Sequence, residues 1–125
     1  MPIRFLRPGL TTSERWNGLS WMAQSFYVRL LTLVDDHGRY DANPRLLLSH
    51  AFPLSDQVTT EQVRALCDQL AQAQLIGLYQ AEGKPYLYLT KWRERVRTES
   101  KFPKFRAYAP TLSMKPLILT IGIGA

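Results

Sequence analysis

One cysteine, Cys67, and two histidines, His37 and His50, are the whole stock of thiol and imidazole in 125 residues. A single thiol cannot close an internal disulfide, and so little cysteine points to a reducing compartment. Two scattered histidines supply no Ser-His-Asp or Cys-His constellation. There is no phosphate-binding glycine loop and no paired-cysteine metal spacing. Catalysis, a bound cofactor and a metal are therefore not expected. No apolar run approaches the roughly 20 residues of a membrane span. The opening Met-Pro-Ile-Arg-Phe-Leu-Arg-Pro-Gly is too short and too interrupted for a signal peptide. The expectation is a soluble cytoplasmic protein with no membrane partner. Internal repeats and low-complexity segments are also lacking.

What is present is a globular composition, with 46% hydrophobic and 21% charged residues, and enough chain for one modest core. The net charge of +6 is unevenly spread. Residues 16–90 hold five bases against seven acids, a net −2. Residues 91–125 hold eight bases against two acids, a net +6. A basic segment appended to a mildly acidic domain suits a polyanion, usually nucleic acid. The competing reading is a solvated tail that aids solubility.

The chain is organised around residues 58–92. Thr59 and Gln62 have the spacing of a capping box, and Val58 and Val63 that of a hydrophobic staple. Val63, Leu66, Cys67, Leu70 and Gln74 follow the helical i, i+3, i+4 rhythm, only the last polar. After Leu75 the period changes to two, through Ile76, Leu78 and Gln80. Glu82-Gly83 is a hairpin turn, with Gly83 at positive φ. Pro85 opens a return strand in which Tyr86 and Tyr88 alternate with Leu87 and Leu89.

Upstream, Thr11 to Glu14 fits a capping box for a short helical turn through Trp16, stopped by Asn17-Gly18. A helix follows Ser20, with Ala23, Phe26, Tyr27, Leu30, Leu31, Leu33 and Val34 as a broad apolar face, and Gly38 as its stop. Arg39-Tyr40-Asp41 reads as a short strand joining the hairpin as a third member, since a two-stranded hairpin alone is marginal. Asn43-Pro44 opens another helix, with Leu46, Leu47, Leu48 and Ala51 buried. The fold class expected is α+β: a winged helix-turn-helix, three main helices with a C-terminal β-hairpin wing and a short third strand. Its domain spans 1–103, with a core over about 19–92. Residues 104–125 form a tail, either disordered or a truncated linker. The expected core is Phe26, Leu30, Leu47, Val63, Leu66, Leu70, Leu78 and Leu87.

Asp35, Asp36, His37 and Asp41 lack the alternating acids and terminal Glu of a calcium loop, and read as a turn in which Arg39 or Arg45 holds Asp36. His50 reads as structural, and Cys67 as a small buried hydrophobe. Trp16, Trp21 and Trp92 are weighed as stacking platforms for bases and read instead as core anchors. In the third main helix, Glu61, Ala65, Asp68 and Gln72 face outward, with Gln62, Arg64 and Gln69 on the flanks. Two carboxylates on the exposed stripe suit phosphates badly, so the better anchor is the basic stretch after the wing. The candidate nucleic-acid-binding residues are Arg39, Gln62, Arg64, Gln69, Lys84, Lys91, Arg93, Arg95, Arg97, Lys101 and Lys104.

The segments LSWMAQSFYVRLLTLVDDHGRYDANPRLLLSHAFP, VTTEQVRALCDQLAQAQLIGLYQAEGKPYLYLTKW and ESKFP resemble phage replication-initiation proteins. The resemblance is to the N-terminal winged-helix domain of phage and prophage replisome organisers and DnaD-like primosomal proteins, over roughly residues 19–103. It implies binding of origin DNA, self-association into a homo-oligomer, or recruitment of a helicase or helicase loader. The apolar end after Leu112 departs from the linker of that family and reads as an extra strand, an association surface or a truncated reading frame. The leading expectation is a DNA-binding protein that starts DNA replication. The alternatives are a protein-interaction module of a primosome or replisome, and a small transcriptional regulator.

Overall fold

The computed structural model describes residues 6, 8–90, 100 and 102–104. It is a mixed α+β fold with four helices and a small three-stranded antiparallel sheet.

Short polar side chains set most helix starts. A 3₁₀ turn over Pro8–Thr12 leads into α1, Glu14–Asn17. The capping residue of α1 is Ser13, not Thr11, because the preceding turn takes up Thr11 and Thr12. Ser13 Oγ accepts the Trp16 N–H at 3.3 Å. The Asn17 amide donates back to the carbonyls of Thr11 and Ser13, both at 2.9 Å. Ser20 then caps α2, Trp21–Leu33, its Oγ accepting the Ala23 N–H at 3.1 Å.

The stop expected at Gly38 is corrected. Val34 is already extended and ends α2. Gly38, at φ +76°, instead closes the turn into β1, Arg39–Asp41, and its N–H reaches Asp35 O at 2.9 Å. The carboxylate that organises this turn is Asp35's, whose Oδ1 accepts the N–H groups of His37 (2.9 Å) and Arg39 (3.0 Å). A carboxylate near a helix C-terminus opposes the dipole, and these two donors offset that cost.

Helix α3, Pro44–Ala51, has Asn43 as cap and proline in its first turn. Leu47 and Ala51 are buried, but Leu46 is 40% exposed, because an eight-residue helix on one side of a core has a single inward stripe. Helix α4, Thr60–Gln72, opens with the expected capping box: Gln62 N–H donates to Thr59 Oγ1 (3.2 Å) and Thr59 N–H to Gln62 Oε1 (2.9 Å). Gln74 does not continue the helix. It sits at φ +63°, with Gln74 N–H bonded to Ala71 O and Leu75 N–H to Leu70 O, both at 3.0 Å. That is a Schellman ending with glutamine in the position glycine usually takes.

Strands β2, Ile76–Ala81, and β3, Lys84–Leu89, form the hairpin, and β1 pairs with β3, giving the order β1-β3-β2. Both residues of the Glu82-Gly83 turn have positive φ, +54° and +79°. This matches a type I′ turn, whose twist fits the flanking strands. Tyr40, Leu87 and Leu78 share one row, and Ile76 pairs with Leu89 on the same core side of the sheet.

The core joins Phe26, Leu30, Leu47, Val63, Leu66, Leu70 and Leu87 into one buried cluster, as the periodicities predict. Leu78 is only partly buried at its margin. Phe26 stacks on Phe52 at 5.9 Å, and the Arg29 guanidinium covers the Phe52 ring at 4.6 Å. Cys67 is buried there, and burial pushes its thiol up to about 12, with Asp68 adding to the shift and Arg64 opposing it. Trp16 is buried against Tyr27, but Trp21 is 87% exposed at the start of α2, which corrects its reading as a core anchor. Its position directly after the capping Ser20 turns it away from the stripe led by Ala23 and Phe26. Trp92 lies outside the described residues. Among the described residues no helix is long and apolar enough to cross a membrane.

Candidate nucleic-acid interface

Three of the predicted residues lie on α4. Gln62 and Arg64 are exposed and Gln69 is half-buried. Both glutamines use their side-chain oxygen within the fold. Gln62 Oε1 closes the capping box, and Gln69 Oε1 accepts the Ser20 hydroxyl at 2.8 Å, tying α4 to the start of α2. Arg64 stands one turn before Asp68. Partial burial holds the Asp68 carboxyl above its ordinary value, and Arg64 pulls it back down. The inward set Val63, Leu66, Cys67 and Leu70 leaves Glu61, Ala65, Asp68 and Gln72 exposed, as the spacing predicts.

A second group gathers on the sheet face turned away from the core. With a period of two, β3 presents Lys84, Tyr86 and Tyr88 on that face. Tyr88 is in register with Arg39 on β1 and Gly77 on β2, and Tyr86 with Asp41 and Tyr79. Tyr79 stacks on Tyr86 at 5.6 Å and leans on Tyr88 at 6.0 Å. The Tyr88 ring lies directly over Gly77, where a Cβ would overlap it. Glycine serves there for close approach of that ring, not for its φ. Desolvation raises the Tyr88 hydroxyl above its ordinary range. Burial pushes Tyr79 up to about 12, against an opposing pull from Arg39.

Residues 100 and 102–104 return across this face. The Ser100 hydroxyl donates to Asp35 Oδ2, and the Phe102 N–H donates to Ser100 Oγ at 3.1 Å. Phe102 packs between Tyr40 (5.6 Å) and Tyr86 (6.1 Å), and the Tyr79 hydroxyl donates to Pro103 O at 2.5 Å. The strap therefore runs from the β1 side to β2 and leaves Lys104 exposed beyond it. At the neighbouring edge the Tyr40 hydroxyl meets His50 Nδ1 at 2.6 Å, fastening β1 to α3 in the structural role expected of His50. Burial and the nearby Asp41 raise the Tyr40 hydroxyl.

The structure thus places Arg39 and Lys84 with the tyrosines, and Lys104 at the end of the strap, while Gln62, Arg64 and Gln69 sit on α4. Lys91, Arg93, Arg95, Arg97 and Lys101 lie outside the described residues. Sequence reasoning missed the tyrosine face and the strap. The alternation of Tyr86 and Tyr88 with leucine carried the signal for the face; nothing local signalled that residue 100 meets residue 35. Among the described residues no group of three or more His, Cys, Asp or Glu side chains is arranged to hold a metal. Comparison with protein-family models, characterised proteins and solved structures finds no match.

Proposed function

We propose that the chain is a winged-helix DNA-binding protein that acts in the initiation of DNA replication, in the manner of phage replisome organisers. The observation that carries this reading is the arrangement of α4 with the sheet. A capped helix runs through a Schellman ending directly into a two-residue hairpin, and β1, from between the first two main helices, completes the sheet. The hairpin is then the wing, and α2, α3 and α4 the three main helices. The charge supports the same reading, since the excess follows the wing and not α4. DNA is held mainly through its phosphates, by Lys91, Arg93, Arg95, Arg97, Lys101 and Lys104, with Arg39 and Lys84 adding to them and Gln62, Arg64 and Gln69 in a lesser role. A helicase or its loader is the partner such a protein would recruit. Binding of duplex and single-stranded DNA across a salt series tests the proposal. A steep loss of affinity with salt is expected, and a slope near zero overturns it.

A second reading, a protein-interaction module, is favoured by one specific feature. The exposed stripe of α4 carries Glu61 and Asp68, and the start of α2, tied to Gln69, exposes Trp21. In that case Trp21→Ala weakens self-association or partner binding and leaves DNA binding unchanged, as sedimentation and DNA titration would show.

A further inference from the structure

We propose that the outer face of the sheet is a stacking platform for single-stranded nucleic acid, with Tyr86, Tyr88 and Phe102 offering rings to successive bases and Arg39, Lys84 and Lys104 meeting the phosphates. The inference rests on the nucleic-acid reading above and names the form of strand that this face takes. Three observations carry it. First, the rings are gathered on the outer face and its β1 edge: Phe102 lies 6.1 Å from Tyr86, and the buried Tyr79 ring bridges Tyr86 (5.6 Å) and Tyr88 (6.0 Å). Tyr86, Tyr88 and Phe102 are each half-buried, so none is fully enclosed by the fold. Second, the platform is fixed in place. Gly77 seats the Tyr88 ring, and the strap is pinned at Ser100 by Asp35 and at Pro103 by Tyr79. Third, the charges around the rings favour an anion. Arg39 shares the row of Tyr88, Lys84 is two residues before Tyr86 on the same face, and Lys104 is exposed beyond Pro103. Two acids lie nearby, and both accept hydrogen bonds from the protein itself. Asp41 Oδ1 takes the Asn43 N–H at 2.7 Å, and Asp35 takes the N–H groups of His37 and Arg39 together with the Ser100 hydroxyl. A duplex keeps its base faces stacked inside, so a ring platform of this kind selects unpaired strands.

The test is fluorescence anisotropy with labelled oligo-dT, oligo-rU and a mixed-sequence duplex, on the full chain. Loss of one stacking ring is expected to weaken single-strand binding by about 5- to 150-fold. Phe102→Leu and Tyr86→Leu should each do so, while Tyr86→Phe, which keeps the ring, binds as the wild type does and shows that the sheet tolerates change there. Duplex affinity should stay within about twofold for all three, since phosphate contacts carry it. Cross-linking with 5-bromodeoxyuridine oligonucleotides should attach to Tyr86, Tyr88 or Phe102. Binding of dT alone assigns the platform to DNA, and equal binding of rU assigns it to either sugar; both support it. Unchanged dT affinity in the leucine variants, or cross-links confined to residues 91–99, overturns it. A protein that binds duplex with a steep salt slope yet ignores dT overturns this inference alone, whereas one that binds neither overturns the proposed function as well.

Discussion

Adding one methyl group at Gly77 puts the geometry of the tyrosine face to a quantitative test. A Cβ there overlaps the far end of Tyr88, its nearest neighbours all belonging to that ring and hydroxyl. In Gly77→Ala the ring must swing off the sheet. Overpacking of this kind costs about 1–3 kcal/mol. Replacing glycine by alanine within a strand returns roughly 0.5–1 kcal/mol. The net expectation is a loss of about 1 kcal/mol, or roughly 4–8 °C in Tm for a domain of this size. In a Tyr88→Ala background the ring is gone, and the same change should be neutral or stabilising. Urea denaturation of the four proteins in the cycle, followed by circular dichroism, yields the coupling directly. A coupling of about 1–3 kcal/mol is expected. Equal cost of Gly77→Ala in both backgrounds would refute the placement of Tyr88 over Gly77, and with it the ordered tyrosine face.

Leu70→Ala, at a fully buried position of α4, should cost about 2–5 kcal/mol in urea denaturation, and a change under about 0.5 kcal/mol would mean that α4 packs on another face. Glu82→Gly and Gln74→Gly should each stabilise by roughly 1 kcal/mol, since both residues hold a left-handed φ that glycine adopts freely. Gly83→Val should destabilise more than Glu82→Ala, and equal effects would point to a looser hairpin loop. Stability should fall in alkali. Cys67 and Tyr79 hold their protons up to about 12 when folded, from ordinary values near 9 and 10, so the unfolded chain releases protons first as pH rises past about 9. Their contribution is complete below those ordinary values and is lost on rising through the folded ones. Tyr79→Phe should shrink the loss between pH 10 and pH 12 relative to wild type. An identical alkaline profile would count against burial of that hydroxyl.

Local chemistry was the legible part of this chain. Ser20, Asn43 and Thr59 cap their helices because a short polar oxygen next to an apolar stripe satisfies orphan N–H groups whatever lies beyond. The Glu82-Gly83 turn and the inward set of α4 were legible for the same reason. Gly38 was misread because a glycine after an apolar helix fits a stop and a turn equally well, and only the extended Val34 decides between them. Gln74 carries a conformation that its side chain does not advertise, imposed by the pairing of Leu75 with Leu70. Trp21 and Leu46 defied their hydrophobicity because burial depends on which stripe of a short helix meets the core. The candidate site divided along the same line. The basic residues proposed for it were named from charge alone, whereas the strap over the tyrosines rests on Ser100 meeting Asp35, 65 residues away. No window of local sequence contains that pair.

The most direct test of the account is the salt dependence of duplex binding for the wild type against a variant with Arg93, Arg95 and Arg97 all changed to Gln. Each lost phosphate contact should lower the slope of log affinity against log salt by about one, so the variant should lose about three units of slope and bind all duplex sequences more weakly. Circular dichroism and a thermal melt matching the wild type establish that the variant is folded. An unchanged affinity and slope in that folded variant would contradict a DNA-binding role for the segment after β3 and shift the weight to the protein-interaction reading.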